Sequence, residues 1–226
     1  MRHLPTVEQP SESVLVGCLL AASGGLQDAY TYNVRDQVFA NAQTGNMLLV
    51  GQNLALGYWG PALEHLVPVL AFTAGIFAAE QIRNRFHGRG GAFHWRQAVV
   101  LLETVILALV AFIPGSLNIL ANLLVSFVCA MQVEAFRKIE GNAYATTMCI
   151  GNLRSGSECL YYWYKTRERS YLHKAYLYFL IILFFVLGAS LGGVMCRAWG
   201  LYTILICCPL LLLAAALMAI IRRRRT

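Results

Sequence analysis

The sequence predicts an all-α, polytopic membrane helix bundle. It has six transmembrane spans plus two re-entrant half-helix segments, arranged as an inverted internal repeat. Three observations predict this. First, 58% of the 226 residues are hydrophobic and 13% are charged, about half the charged share of a soluble domain. A single core of this length leaves much of the chain facing water and cannot hide that apolar surface. Second, one topology puts nearly all of the lysines and arginines on one side of a membrane. Third, the two halves of the chain correspond when shifted by 106 residues. The composition excludes an ordinary cytosolic enzyme, a disordered tail and a disulfide-stapled secreted module. The chain reads as one membrane domain over 1–226, with repeat one at about 14–113 and repeat two at about 117–221.

Six segments are apolar enough, and about long enough, to cross a bilayer, which takes about 20 helical residues. The first, 14–32, follows Glu8–Ser13 and carries Gly17, Ala21 and Gly25 at four-residue spacing. Leu15–Cys18 has the local look of a lipoprotein cleavage site. The basic start and apolar stretch that should precede such a site are missing, so the segment is expected to stay as the first span. The second, 61–82, repeats the small-residue spacing at Ala71, Gly75 and Ala79, and 97–113 and 117–136 follow. The last two are 175–196, with Gly188 and Gly192, and 199–221, which ends in the basic run Arg222–Arg225. Small residues at this spacing predict close helix packing. Trp59, Trp95, Trp163 and Trp199 all fall at segment ends, with Tyr161, Tyr162 and Tyr164 around Trp163. That is where tryptophan and tyrosine meet the headgroup level.

Two further stretches are too polar to face lipid. The stretch 38–57 holds Asn41, Gln43, Thr44, Asn46, Gln52 and Asn53; 144–164 holds Asn152, Arg154, Ser155, Ser157 and Glu158. Each charge near a helix centre costs about 2.5–3.5 kcal/mol to insert. With eight spans, nine basic residues lie inside and eight outside, which is no bias. With six spans and these two stretches dipping in and returning, 16 of the 18 basic residues lie inside, leaving Arg35 and Arg197 outside. The positive-inside rule selects six spans, with both termini cytoplasmic. The turn at Gly57 then faces outside and the turn at Gly141 inside.

In the internal correspondence, Asp28-Ala29-Tyr30 meets Glu134-Ala135-Phe136, and Gly45-Asn46-Met47 meets Gly151-Asn152-Leu153. Three spans plus one re-entrant stretch per repeat invert the second repeat relative to the first. Inverted repeats with broken helices meeting near the midplane recur in transporters and channels. Irregular backbone at that depth is tolerated only when buried or lining a wet cavity.

The segments Gly24–Tyr30 and Phe39–Met47, with the later Ala145–Arg154, resemble the two signatures of the YoaK-like family of small bacterial inner-membrane proteins, a domain of unknown function. The resemblance covers nearly the whole chain, and Thr44-Gly45-Asn46 is its most specific element. The second copy reads Ile150-Gly151-Asn152 and lacks the threonine. The resemblance implies a location in the inner membrane and a topology class, and no substrate.

The candidate pathway residues are Asp28, Asn41, Thr44, Gly45, Asn46, Glu134, Thr147, Gly151, Asn152 and Arg154. Asp28 and Glu134 are either a proton or cation relay or structural acids bonded to the re-entrant backbone, because intramembrane acids usually line pathways or pair internally. Thr44 is expected to cap a half-helix running through Asn46 to Leu56. Gly45 allows close approach there. Two half-helix N-termini converging from opposite faces suit an anion or a polar solute. Arg154 either binds an anion or pairs with Glu158 at helical spacing. Glu103 is expected to meet Arg96 or a polar residue of another helix. Glu80 and Arg83 are expected to form an interfacial pair of little energetic weight.

The seven cysteines form no CxxC pair and read as packing residues. His3, His65, His87, His94 and His173 form no metal motif, and there is no HExxH, GxSxG or phosphate-binding loop. Neither an enzyme nor a cofactor or metal is expected, and the net charge of +7 reads as cytoplasmic loops and not as a nucleic-acid surface. The basic tail reads as a topology anchor drawn to anionic lipid. The expected function is a small-solute transporter or channel in the lipid bilayer, for an ion, anion or metabolite. The alternative is a non-transporting scaffold or sensor that recruits a cytoplasmic partner. The oligomeric state, a homo-oligomer included, stays open.

Overall fold

The computed structural model describes residues 9–86 and 95–223. Expectations placed on Arg2, His3, His87, Arg89, His94, Arg224 and Arg225 fall outside the described residues. The fold is all-α. Its helices are α1 (Val14–Val34), α2 (Gln43–Ala55), α3 (Trp59–Phe86), α4 (Trp95–Val110), α5 (Asn118–Ala135), α6 (Cys149–Thr166), α7 (Arg169–Trp199) and α8 (Cys207–Arg223). A short 3-10 helix, Gly200–Ile206, joins α7 to α8, and a two-stranded hairpin pairs Lys138 with Ala143 and Ile139 with Asn142.

Among the described residues, three stretches are long and apolar enough to cross a membrane: Trp59–Phe86, Gly115–Ala135 and Arg169–Ile221. The chain is thus a helical membrane protein. The third stretch has 53 residues, about 80 Å if it were straight, well over twice the hydrocarbon thickness. It is folded instead. Gly200 takes φ +52 and ends α7, after which both α7 and α8 pack against α1.

Packing follows the small residues. A Cβ on Gly25 of α1 would overlap the carbonyl oxygen of Phe185 in α7, and one on Gly188 of α7 would overlap that of Ala22 in α1. The same relation joins α3 to α5, where a Cβ on Gly75 would overlap the Phe127 carbonyl oxygen. Close backbone approach of this kind maximises dispersion contacts where lipid supplies no hydrophobic drive between helices. Leu20 and Leu26 of α1, Val99 and Leu107 of α4, Val125 and Val128 of α5, and Leu211 of α8 form the main core, all fully buried. α2 lies against α3 and α6 against α7, outside that core.

The basic residue at the end of α1 departs from its expected place in an outer loop. Arg35 is fully buried. Its Nε donates to Tyr30 Oη at 2.8 Å, Nη1 to Asn118 Oδ1 at 2.8 Å, and Nη2 to the carbonyls of Val110 at 3.0 Å and Ile113 at 2.9 Å. Val110 ends α4 and its carbonyl also accepts the Ile113 N–H at 3.1 Å, while Ile113 lies in the turn beyond the helix. A planar guanidinium with a fork of donors can serve several at once, so Arg35 ties α1 to the end of α4 and the start of α5.

Candidate functional site

Two irregular segments, 35–42 after α1 and 136–148 after α5, carry the chain into α2 and α6. The first turns back along α1. The Asn41 N–H donates to Asp28 Oδ1 at 2.7 Å, and Asn41 Nδ2 donates to the Gly24 carbonyl at 3.3 Å. Asp36 and Gln37 make the reversal with φ of 62° and 57°, the left-handed region that non-glycine residues seldom occupy. Asp28 thereby holds the backbone just ahead of α2.

The start of α2 differs from expectation by two residues. Ala42 is the N-cap and the helix opens at Gln43, so Thr44 lies inside the first turn and does not cap it. Backbone carbonyls do the capping: the Gln43 N–H donates to Asn41 and the Gly45 N–H to Ala42, both at 2.9 Å. Asn46 fixes the entering chain from within the helix. Its Oδ1 accepts the Phe39 N–H at 3.2 Å and its Nδ2 donates to the Phe39 carbonyl at 2.7 Å. The second segment is held the same way. Asn152 Oδ1 accepts the Ala145 N–H at 3.2 Å, and Nδ2 donates to the Ala145 carbonyl at 2.7 Å. Met148 is the N-cap of α6, again without a side-chain cap bond.

The two segments meet at Gly24. Asn41 bonds its carbonyl, and a Cβ on Gly24 would overlap Thr147 Cγ2. Beside this point lies a cavity of about 830 Å³, within the range of small-molecule sites. Asp28, Asn41, Thr44, Thr147 and Gly151 line it, together with apolar residues such as Tyr32, Phe39, Phe72 and Phe185. Five of the ten candidate residues are thereby brought to one wall.

The other five stand elsewhere. Asn46 and Asn152 are buried as clamps, and Gly45 packs under the Phe39 ring. Glu134 pairs with Arg137 at 3.1 Å, and Arg137 reaches Glu80 at 3.4 Å, which in turn pairs with Arg83 at 3.0 Å. The expected Glu80–Arg83 pair thus belongs to a four-residue cluster at the ends of α3 and α5. Arg154 and Glu158 are both exposed, and no ion pair joins them. Side chains on a solvated or headgroup-facing surface gain little from such a pair.

Glu103 meets a polar residue of another helix, Gln27 of α1. Gln27 Nε2 donates to Glu103 Oε1 at 2.9 Å and to Ser23 Oγ at 3.1 Å, and the Cys129 thiol donates to Gln27 Oε1 at 2.7 Å. This network links α1, α4 and α5 inside the core. Gln27 and Arg35 are not among the candidate residues. Gln27 carried a signal, because a glutamine inside the apolar run 14–32 needs a polar partner. Cys18, Cys129, Cys196 and Cys207 are buried and all seven cysteines are free. Among the described residues no group of three or more His, Cys, Asp or Glu could hold a metal.

No curated protein and no solved structure matches the chain. A model of the family described as protein of unknown function (DUF1275) matches residues 16–218, and the chain belongs to that family.

Proposed function

We propose that the protein is a small-solute transporter or channel of the bacterial inner membrane, with its pathway through the cavity beside Gly24. The observation that carries this reading is that both chain interruptions line one cavity of about 830 Å³. Six spans, with α2 and α6 as re-entrant helices, account for the elements best. α2 has 13 residues, about 20 Å, too short for a hydrocarbon core of about 30 Å. α6 is longer but carries Arg154 and Glu158. The inverted-repeat reading is supported by the paired clamps. Phe39–Asn46 and Ala145–Asn152 are 106 residues apart and share their bond lengths. It is supported too by the packing, in which α1 on α7 answers α5 on α3. With both termini cytoplasmic, the basic loops face the side that the positive-inside rule requires. Polar, broken backbone at membrane depth has a physical reason to exist when it lines a solute path.

Gly151 supplies the test. It lines the cavity, and a Cβ there would meet nothing within 4 Å. Gly151→Trp should therefore fill the cavity without disturbing the fold. Wild-type protein in liposomes should pass some member of a panel of ions, amino acids, organic acids and sugars. Gly151→Trp should stop that flux and Gly151→Ala should keep it. Absence of flux for the whole panel from folded wild-type protein, or flux indifferent to Gly151→Trp, would sink the reading.

A further inference from the structure

The lining of the cavity specifies a class of solute, given the reading of this cavity as the solute site. Asp28 is the one acidic side chain among the described lining residues. Among the described residues no lysine, arginine or histidine joins it in the lining, and Asp28 has no ion pair. Asn41 Oδ1 and Thr147 Oγ1, on lining side chains only 4% and 6% exposed, have no hydrogen-bond partner. A desolvated acceptor left unpaired is costly, and a donor that reaches it recovers that cost. One acid and two buried, unpaired acceptors in the same lining suit a group with several N–H donors and one positive charge.

The opposite polarity is present as well. The first turns of α2 and α6 supply Gln43, Thr44, Cys149 and Gly151 to the same lining. Their N-cap residues are Ala42 and Met148, and neither helix has a side-chain cap bond. A helix N-terminus is equivalent to roughly half a positive charge and offers N–H donors. Two such ends give about +1, which offsets the single carboxyl of Asp28 when an ammonium beside it holds it ionised. A site of this kind favours neither a bare anion nor a bare cation. A single ion would also leave most of about 830 Å³ unfilled, and the aromatic walls call for an apolar body.

We propose that the cavity binds a zwitterion with an apolar body, the chemistry of a hydrophobic amino acid. The ammonium sits at Asp28, Asn41 and Thr147, the carboxylate at the first turns of α2 and α6, and the apolar part against Tyr32, Phe39, Phe72 and Phe185. Thr147→Val is the sharpest variant, because it deletes a hydroxyl that has no partner and should leave the fold as stable as before. Asp28→Asn keeps an acceptor for the Asn41 N–H while removing the charge.

The experiment is direct binding to the purified, full-length protein in nanodiscs. L-phenylalanine is compared with phenethylamine, which has only the ammonium, 3-phenylpropanoate, which has only the carboxylate, and sodium chloride alone. L-phenylalanine should bind about tenfold or more tighter than either singly charged analogue. Asp28→Asn and Thr147→Val should each weaken L-phenylalanine and phenethylamine severalfold and leave 3-phenylpropanoate unchanged. An analogue that matches L-phenylalanine, saturation by sodium alone, or binding indifferent to both substitutions overturns the proposal. Binding without liposome flux would leave this inference standing and remove the transport reading. Flux of a non-zwitterionic solute that Gly151→Trp stops, with no L-phenylalanine binding, would do the reverse.

Discussion

Asn46 bonds both the N–H and the C=O of Phe39, seven residues earlier, at 3.2 and 2.7 Å. One side chain thus satisfies both backbone groups of a residue whose neighbours belong to no helix. In a dry interior each of those groups would otherwise be orphaned, at about 1–3 kcal/mol apiece. Asn152 does the same for Ala145. Aspartate in place of either asparagine keeps the acceptor but loses the donor, and sets an oxygen against a carbonyl. Asn46→Asp and Asn152→Asp should each cost about 1–3 kcal/mol, and by similar amounts. Unfolding midpoints in detergent would check this. A large loss at one position with none at the other would break the equivalence of the two clamps.

The clamps also mark what could be read from the residues alone. The Gly-Asn pairs at 45–46 and 151–152 were recognisable, because polar residues inside apolar stretches need a local reason. What they bond was not, since a clamp reaching seven residues back follows from tertiary geometry. Thr44 looked like a cap because hydroxyls usually cap, but the carbonyls of Asn41 and Ala42 already take the N–H groups of Gln43 and Gly45. Arg35 read as an outer loop charge because the six-span count left it there. Only the fold shows that the end of α4 and the turn after it bring carbonyls to it. Thr147 and Asp28 were legible as polar residues at matching breaks. Their meeting at one cavity depends on how α1, α3 and α7 pack, which no local pattern encodes.

The glycines give a graded stability prediction. Gly25→Ala and Gly188→Ala each drive a methyl into a backbone oxygen of the facing helix. The neighbour is main chain and cannot turn aside, so α1 and α7 must separate. Each should cost about 1–3 kcal/mol or more. Gly45→Ala would press on the Phe39 ring at 3.0 Å, a side chain that can shift, and should cost less. Gly151→Ala meets nothing and should be neutral or slightly stabilising through its helical preference over glycine. Ranking four unfolding midpoints tests the order, and an equal response at Gly151 and Gly188 would contradict it.

Arg35 should be irreplaceable. Lysine keeps the charge but offers one nitrogen where the guanidinium serves Tyr30, Asn118, Val110 and Ile113 with three. Arg35→Lys should lose at least about 3 kcal/mol, since hydrogen bonds to a charged group are worth about 1.5–3 kcal/mol each. Arg35→Met removes every donor while keeping the length, and should fall further. Detergent unfolding, together with faster proteolysis between α4 and α5, would report the loss. Full stability of Arg35→Lys would mean that the charge alone, without the fork, holds the three helices.

Topology can be probed at the two turns that the six-span reading sends to opposite faces. Gly57 and Gly141 take φ of 77° and 75°, so a cysteine placed on either would be strained. Their neighbours are better sites. Tyr58 is 57% exposed, and Asn142 follows Gly141 in the hairpin. In a background with the seven native cysteines replaced, Tyr58→Cys should react in intact cells with a membrane-impermeant maleimide. Asn142→Cys should react only after permeabilisation. With six spans the basic residues near 137–138 and 165–174 share the side of Asn142, whereas eight spans would divide them between faces and leave no positive-inside bias. Labelling of both positions from outside, or of neither until the cells are opened, would overturn the six-span arrangement. The inverted relation between the halves would then fall with it, because it requires an odd number of crossings in each.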